Sequence, residues 1–352
     1  MIYAAAVSYG VMRILSFLMC LIALPLSAYS QSSSAGDSQT SLEHERQLLQ
    51  QGKTDEALAM LKQLADTQPP VKGVQHDFGV IYYRTGKLVD AQKAFAAAIQ
   101  EDGADAESVQ MEGLTLYRMG QPANAIPYLE RVRQWMPNAN ADSNYVLGLC
   151  LVNSRRYDDA RAAFAQEFGV PPASASAYLL LSSMLMRADL PELAAKQADQ
   201  ALKLDPNLPL AHFTLGEVYL FKSDLEHATT EFEEERRINP SYAPTYDRLG
   251  DVYTRADKLQ EAQEALTKAL SLDLSSTGPF IQMGKVLLHR GDPTTATMYL
   301  RHAEKMDPGN FVTHTLLAEA YRKSGQPDEA KRETEIASKI HVDSQLKLQP
   351  VQ

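Results

Sequence analysis

The residues of this chain best suited to chemistry are eight histidines, two cysteines and several runs of carboxylates, and their spacing fits no common reaction. A zinc hydrolase needs two imidazoles one helical turn apart with a glutamate beside the first, so that both rings reach one ion from one face. His44, His76, His212, His227, His289, His302, His314 and His341 contain no HxxxH or HExxH pair. Cys20 and Cys150 make no cluster with them. GxxxxGK[ST], GxGxxG and GxSxG are all missing, so neither a phosphate cradle nor a nucleophile elbow is encoded. Cys150 lies between Leu149 and Leu151 in a predicted helix and reads as a small buried residue rather than a reactive thiol. Glu231, Glu233, Glu234, Glu235, Arg236 and Arg237 form the densest charge run. Glu233 precedes Arg237 by one helical turn in the favourable order, so the run reads as a solvated helix face, with an acidic docking patch as the alternative. No catalytic residue, metal ligand set or cofactor is expected, and the chain does not read as an enzyme.

What positions these side chains is a repeat. Ala57, Ala91, Ala125, Ala160, Ala194, Ala228, Ala262, Ala296 and Ala330 recur every 34 residues, with one gap of 35 before Ala160. A fixed period of this length signals stacked helix-turn-helix units. With each alanine set at position 20, repeats begin at Ser38, Lys72, Ala106, Ala141, Ala175, Pro209, Ala243, Thr277 and Phe311, and Asn140 is the inserted residue. The array then covers residues 38–344 and leaves no room for a separate catalytic domain.

Other columns keep the same phase. Position 8 is Gly79, Gly113, Gly148, Gly216, Gly250 and Gly284, with Ser182 and Ala318 as small substitutes. Position 24 is large: Phe95, Phe164 and Phe232, or Leu61, Leu129, Leu266 and Leu300. Small residues at 8 and 20 permit close approach of the two helices of a pair. Helix A is expected over about positions 2–14 and helix B over about 18–31, both from the pattern of apolar columns. Gly86, Gly120, Gly291 and Gly325 at position 15 end helix A, where a left-handed residue suits glycine. Pro122, Pro191, Pro293 and Pro327 at position 17 open helix B. Proline at position 32 (Pro69, Pro137, Pro172, Pro206, Pro240 and Pro308) stops it. Pro127 falls inside helix B of repeat 3 and should bend it.

These columns resemble the tetratricopeptide repeat family over residues 38–344, with Glu45 in repeat 1 and Thr334 in repeat 9 departing from the pattern. The resemblance implies an all-α, right-handed superhelical solenoid of antiparallel helix pairs whose A helices line a concave face through positions 2, 5, 9, 12 and 13. Reading those columns gives Leu114, Tyr117, Tyr145, Leu149, Val152, Leu179, Met186, Phe213, Leu220 and Phe221 as an apolar, partly aromatic stripe. Asp247, Asp251 and Glu319 follow as an acidic end. Such a groove suits an extended or helical peptide with a basic flank. Positions 5 and 12 also pack on neighbouring helices. Position 13 is repeatedly basic, with Arg84, Arg118, Arg187, Arg255 and Lys323. It is a candidate ladder for an acidic ligand, though long cations at that column also pair with nearby carboxylates. The subclass that grips a C-terminal carboxylate needs a Lys/Asn/Arg constellation, but the slots here read Leu42, Arg46, Asp77, Glu107 and Met111. The one tryptophan, Trp135, lies at position 30, away from the concave columns and ill placed to stack on a sugar.

The remaining sequence concerns compartment. Ile14 to Leu26 is apolar and uncharged, follows Arg13, and precedes the small residues Ala28 and Ser30, which reads as a signal peptide of residues 1–30. Met12 is an alternative start to Met1, and an uncleaved anchor from Tyr3 to Leu26 is the competing reading. Residues 31–37 read as a flexible lead-in and 345–352 as a tail. With cleavage, Cys150 has no partner for a disulfide. Net charge is -10, which argues against nucleic acid as a partner. The chain is thus expected to be an exported scaffold, in the periplasm or at the cell surface, that binds a protein or peptide. A self-associating homo-oligomer is the alternative.

Overall fold

The structure, a computed structural model, describes residues 33–68, 71–136 and 141–348. The described residues form eighteen α-helices and no strand. Two compact units are defined, one through Ile81 and one from Tyr82 onward. The signal-peptide expectation lies outside the described residues. No described helix is long and apolar enough to cross a membrane.

In the first unit, the helix Ser33–Gln50 packs on the helix Thr54–Ala65, and Leu42, Leu48, Leu61 and Leu64 are buried. Residues 33–37, expected as part of a lead-in, belong to the first helix. Glu45, in the column where most repeats carry glycine, is fully buried, and neither carboxylate oxygen has a partner. Burial, assisted by Asp77 and opposed by Arg46, pushes its carboxyl up to about 7. Arg46 Nε holds Asp77 at 3.1 Å.

The second unit stacks pairs such as Ala175–Arg187 with Pro191–Leu204 and Ala243–Arg255 with Leu259–Leu272. Helix A occupies positions 1–13 and helix B positions 17–30 in these pairs, one residue earlier than the apolar columns suggested. Proline at position 17 is itself the first helical residue, because its missing N–H would have had no helical acceptor there. The last helix runs from Pro327 to Leu348, since Val342 replaces the stopping proline and part of the expected tail is helical.

Two local devices hold a pair together. A Cβ built on Gly216 would stand 2.5 Å from the ring of Phe232, and one on Gly250 or Gly284 equally close to Leu266 or Leu300. Glycine at position 8 is therefore a space for the residue at position 24. Where position 24 shrinks to Ala198, position 8 becomes Ser182, whose Oγ donates to the Ala194 carbonyl at 2.7 Å. Where it is Thr334, position 8 is Ala318.

The second device is the corner. Position 15 has positive φ in every repeat, with Gly52, Gly86, Gly120, Gly291 and Gly325 but also Arg155, Asp189, Ser223 and Asp257. Its N–H donates to the carbonyl at position 12 and the next N–H to that at position 11, as in Arg155 to Val152 and Arg156 to Leu151. These two bonds satisfy carbonyls that the end of a helix leaves open.

Candidate functional site

In the second unit, helix A of one repeat touches helix A of the next as well as the intervening helix B, in repeats 3–4, 5–6, 7–8 and 8–9. That places the A helices on the inner, tighter side of this stack. Leu114, Tyr117, Tyr145, Leu149 and Met186 come together there as half-buried side chains on one core cluster, which contains Leu147, Leu151, Phe164 and Leu181. Tyr145 meets Phe164 edge-on, with ring centroids 5.8 Å apart. Burial raises the Tyr117 phenol above its usual range. Phe213 and Leu220 rest on a second cluster around Phe232 and Leu249. Phe221 is 61% exposed, the most open of the stripe.

Other expected contributors are not presented. Leu179 and Val152 are buried in the clusters their helices make with neighbouring ones, whereas Tyr145, Tyr117 and Met186, at the same positions 5 and 12, stay half-buried. Asp251 is buried too, with Arg255 on it at 2.8 Å, and so is not a free acidic group. Asp247 is half-buried beside Arg248, which also binds Glu217 at 2.5 Å. One Asp247 oxygen is buried without a partner, and burial raises its carboxyl although Arg248 opposes the shift. The acidic end is thus a network of three carboxylates with two guanidiniums.

The basic column is largely structural. Arg118 lies over the Tyr83 ring at 4.4 Å and donates to the Tyr83 carbonyl at 3.1 Å. Lys323 donates to the Leu288 carbonyl at 3.2 Å and pairs with Glu319 at 2.8 Å. Both cations sit at the negative C-terminal end of the preceding A helix, where the helix dipole favours them. Arg84 and Arg187 are exposed. The ladder is broken into capping cations and isolated ones.

Three features escaped the sequence reading. Glu235 is fully buried and accepts from the Leu210 amide at 2.9 Å and the Phe213 amide at 3.3 Å. It caps the helix Ala211–Phe221, whose N-cap residue Leu210 is left-handed. Glu231 binds His212 Nδ1 at 2.6 Å, and Glu233 accepts from the Tyr253 hydroxyl at 2.6 Å. The charge run is therefore not only a solvated face, and Arg237 pairs with Glu234 rather than with Glu233. The third feature is at position 4. Tyr246 and His314 donate to the carbonyls of Pro240 and Pro308, the stopping prolines of the preceding repeats.

His314, Glu333 and Glu304 offer donor atoms within 4.8 Å of one another, a grouping with the composition of a metal site. Both imidazole nitrogens are engaged, Nδ1 by Glu333 at 2.7 Å and Nε2 by the Pro308 carbonyl at 3.0 Å. Arg301 occupies Glu304 at 2.9 Å. Two acceptors on one ring suit an imidazolium. Burial lowers the His314 pKa, but the bonds to Glu333 and Pro308 outweigh it and raise it. Cys150 is fully buried, and burial pushes its thiol up to about 12, so it is not a nucleophile.

Paired helices at a fixed period, with an inner row of half-buried apolar side chains, define an all-α helical-repeat protein. Family models described as tetratricopeptide repeat match residues 48–111, 116–166 and 287–348, then 145–209 and 243–276. The chain belongs to the tetratricopeptide repeat family. It is 24% identical over 248 residues to the protein CTR9 homolog of Arabidopsis thaliana, covering 67% of this chain and 23% of that protein. It is 22% identical over 218 residues to the TPR repeat-containing protein YpiA of Bacillus subtilis, covering 61% and 51%. The chain thus spans from under a quarter to about half of the length of these curated relatives. Among solved structures, MamA shares 21% identity at a TM-score of 0.43, covering 46% of this chain and 95% of MamA. YrrB, described as a TPR protein with an unusual peptide-binding site, shares 23% at 0.44, covering 54% and 97%.

Proposed function

We propose that this chain is an exported scaffold that holds a peptide or helix of an envelope complex on its A-helix face. The observation that carries the reading is the set of half-buried side chains Leu114, Tyr117, Tyr145, Leu149 and Met186, all packed on one core cluster over repeats 3–5. Tyrosines with a packed ring body and an open edge give large contact area at small entropic cost, the usual composition of a recognition surface. Asp247 and its arginine neighbours lie further along the same row of helices and would receive a polar or basic flank of the ligand. The proposed role is binding.

The test is affinity capture from an envelope extract with the full chain. Tyr117→Glu with Tyr145→Glu should lose the partner. Because Tyr145 leans on Phe164, Phe221→Glu serves as a second variant whose open side chain leaves the core untouched. Equal capture by wild type and by both folded variants would remove the groove. A second reading, self-association, is favoured by Phe311, Val312, Ile336 and Val342, which are exposed apolar residues of the last repeat. Light scattering over a range of concentrations distinguishes it, since only self-association gives a mass that rises with concentration.

A further inference from the structure

A cavity of about 470 Å³ opens in the second unit between helix B of repeat 2 and both helices of repeat 3. Its wall includes Glu112, which is only 1% exposed. One Glu112 oxygen, Oε1, accepts from the Gln92 side-chain amide at 2.9 Å. The other, Oε2, is buried and has no partner. An ionised carboxylate in that position is short of donors, and a buried acceptor left unmade is costly. The wall also contains Pro127, the helix-interior proline. Proline brings no N–H, so the Ala123 carbonyl one turn earlier loses its usual helical donor. Ala123 itself lines the cavity. Asn124 lies beside it, and its amide is turned to the Gln121 side-chain oxygen at 3.0 Å. No lysine, arginine or histidine lines the cavity. The wall thus holds one carboxyl, Glu112, with an unpartnered oxygen and no cation among the lining residues.

We propose that this cavity is a socket for a single basic side chain of a partner, arginine or lysine, with Glu112 as the charged acceptor and the Ala123 carbonyl as a second. The volume is ample for one such side chain, whose stem would lie along Leu116 and Tyr128. Glu112 Oε2 is shielded from solvent, so the cation reaches it as a wall side chain swings aside. Met119, unbranched and flexible, is the wall residue suited to that movement. The wall shares no residue with the tyrosine patch, although Leu116 and Tyr128 pack in the core cluster beneath it, and the proposal does not depend on the function proposed for that patch. Burial lifts the Glu112 pKa while Gln92 lowers it, so occupation should strengthen as pH rises and the carboxyl ionises.

The test is calorimetric titration of the full chain with methylguanidinium and, separately, n-butylammonium, with tetramethylammonium as a cation lacking N–H donors. Saturable binding of one or both N–H cations is expected, and the tighter one identifies the preferred side chain. Glu112→Gln keeps the shape and removes the charge, and should weaken binding at least tenfold while melting no lower than wild type. Binding of tetramethylammonium as tight as that of the N–H cations overturns the proposal, as does unchanged affinity in Glu112→Gln. Absence of saturable binding to folded wild type overturns it as well.

Discussion

Replacing Gly216 by alanine tests the packing logic of the whole array. The added Cβ would meet three ring carbons of Phe232 at 2.5, 2.6 and 2.8 Å. Carbon atoms rest at roughly 3.5–4.0 Å, so the ring or the helix must give by about 1 Å. Phe232 is fully buried, its ring stands 5.6 Å from that of Phe213, and Leu249 and Val252 share its cluster, so it has little freedom to retreat. Forcing a methyl group into such a site costs about 1–3 kcal/mol. Alanine is better than glycine inside a helix by about 1 kcal/mol, which offsets part of that. The expected net loss is about 0–2 kcal/mol. Urea melts followed by far-ultraviolet circular dichroism measure it. Hydrogen exchange in Ala211–Phe221 locates it, because repeat arrays need not unfold as one unit. A matched cycle sharpens the test. Phe232→Ala alone should cost about 3–5 kcal/mol. Added to Gly216→Ala it should cost less than the sum, since the small pair imitates Ser182 with Ala198. If Gly216→Ala raised stability by its helix propensity alone, the reasoning about positions 8 and 24 would be refuted.

Glu45 carries a pH signature. Its folded pKa of about 7 exceeds the ordinary 4.5, so the folded state keeps a proton that the unfolded chain releases. The first unit should be most stable below pH 4.5 and lose at most about 3 kcal/mol as pH rises to about 7, at ~1.36 kcal/mol per unit, and Glu45→Gln should flatten that slope in pH-dependent melts. His314 acts in the same direction. Its folded pKa is raised above the ordinary 6.5, so its contribution is complete below that pH and fades as pH rises through the folded value. His314→Gln should remove this fall in hydrogen-exchange protection of repeat 9. Glu235→Ala strands the buried Leu210 and Phe213 amides and should cost about 2–4 kcal/mol in urea melts. Arg155→Gly and Ser223→Gly relieve left-handed strain and should each raise stability by about 0.5–1 kcal/mol, whereas Gly120→Ala should lower it by a similar amount.

The columns that were legible in the sequence are those where one residue type answers one local demand. Glycine at 8 faces a large side chain at 24, and glycine at 15 turns left-handed. Even there Arg155 and Ser223 adopt the same turn without the residue that announces it. The candidate face was legible in outline, since Tyr117, Tyr145 and Leu149 do come together. Its details were not. Whether Asp251 faces a ligand or Arg255 depends on side-chain register that a column cannot show. The contacts of position 4 were hidden for a related reason. His314 meets Glu333, nineteen residues on, and Pro308, six back. Nothing in the spacing marks that triangle until two helices and a loop are in place. Glu235 was read as one of a solvated run because local charge pattern carries no information about a neighbouring helix N-terminus.

The corners have a bearing on proteolysis. Trypsin-like enzymes cut after lysine or arginine, and they require several residues of freely extended backbone. Arg84, Arg118, Arg155, Arg156, Arg187, Arg255 and Lys323 all stand at or beside a corner, and most are open to solvent. Each corner, however, is wound left-handed and tied by two backbone bonds. These exposed basic residues therefore sit where the chain is least able to lie flat in a protease cleft. Limited digestion should spare the corners of well-packed repeats, and the first cut should mark the repeat whose closing bonds open most readily.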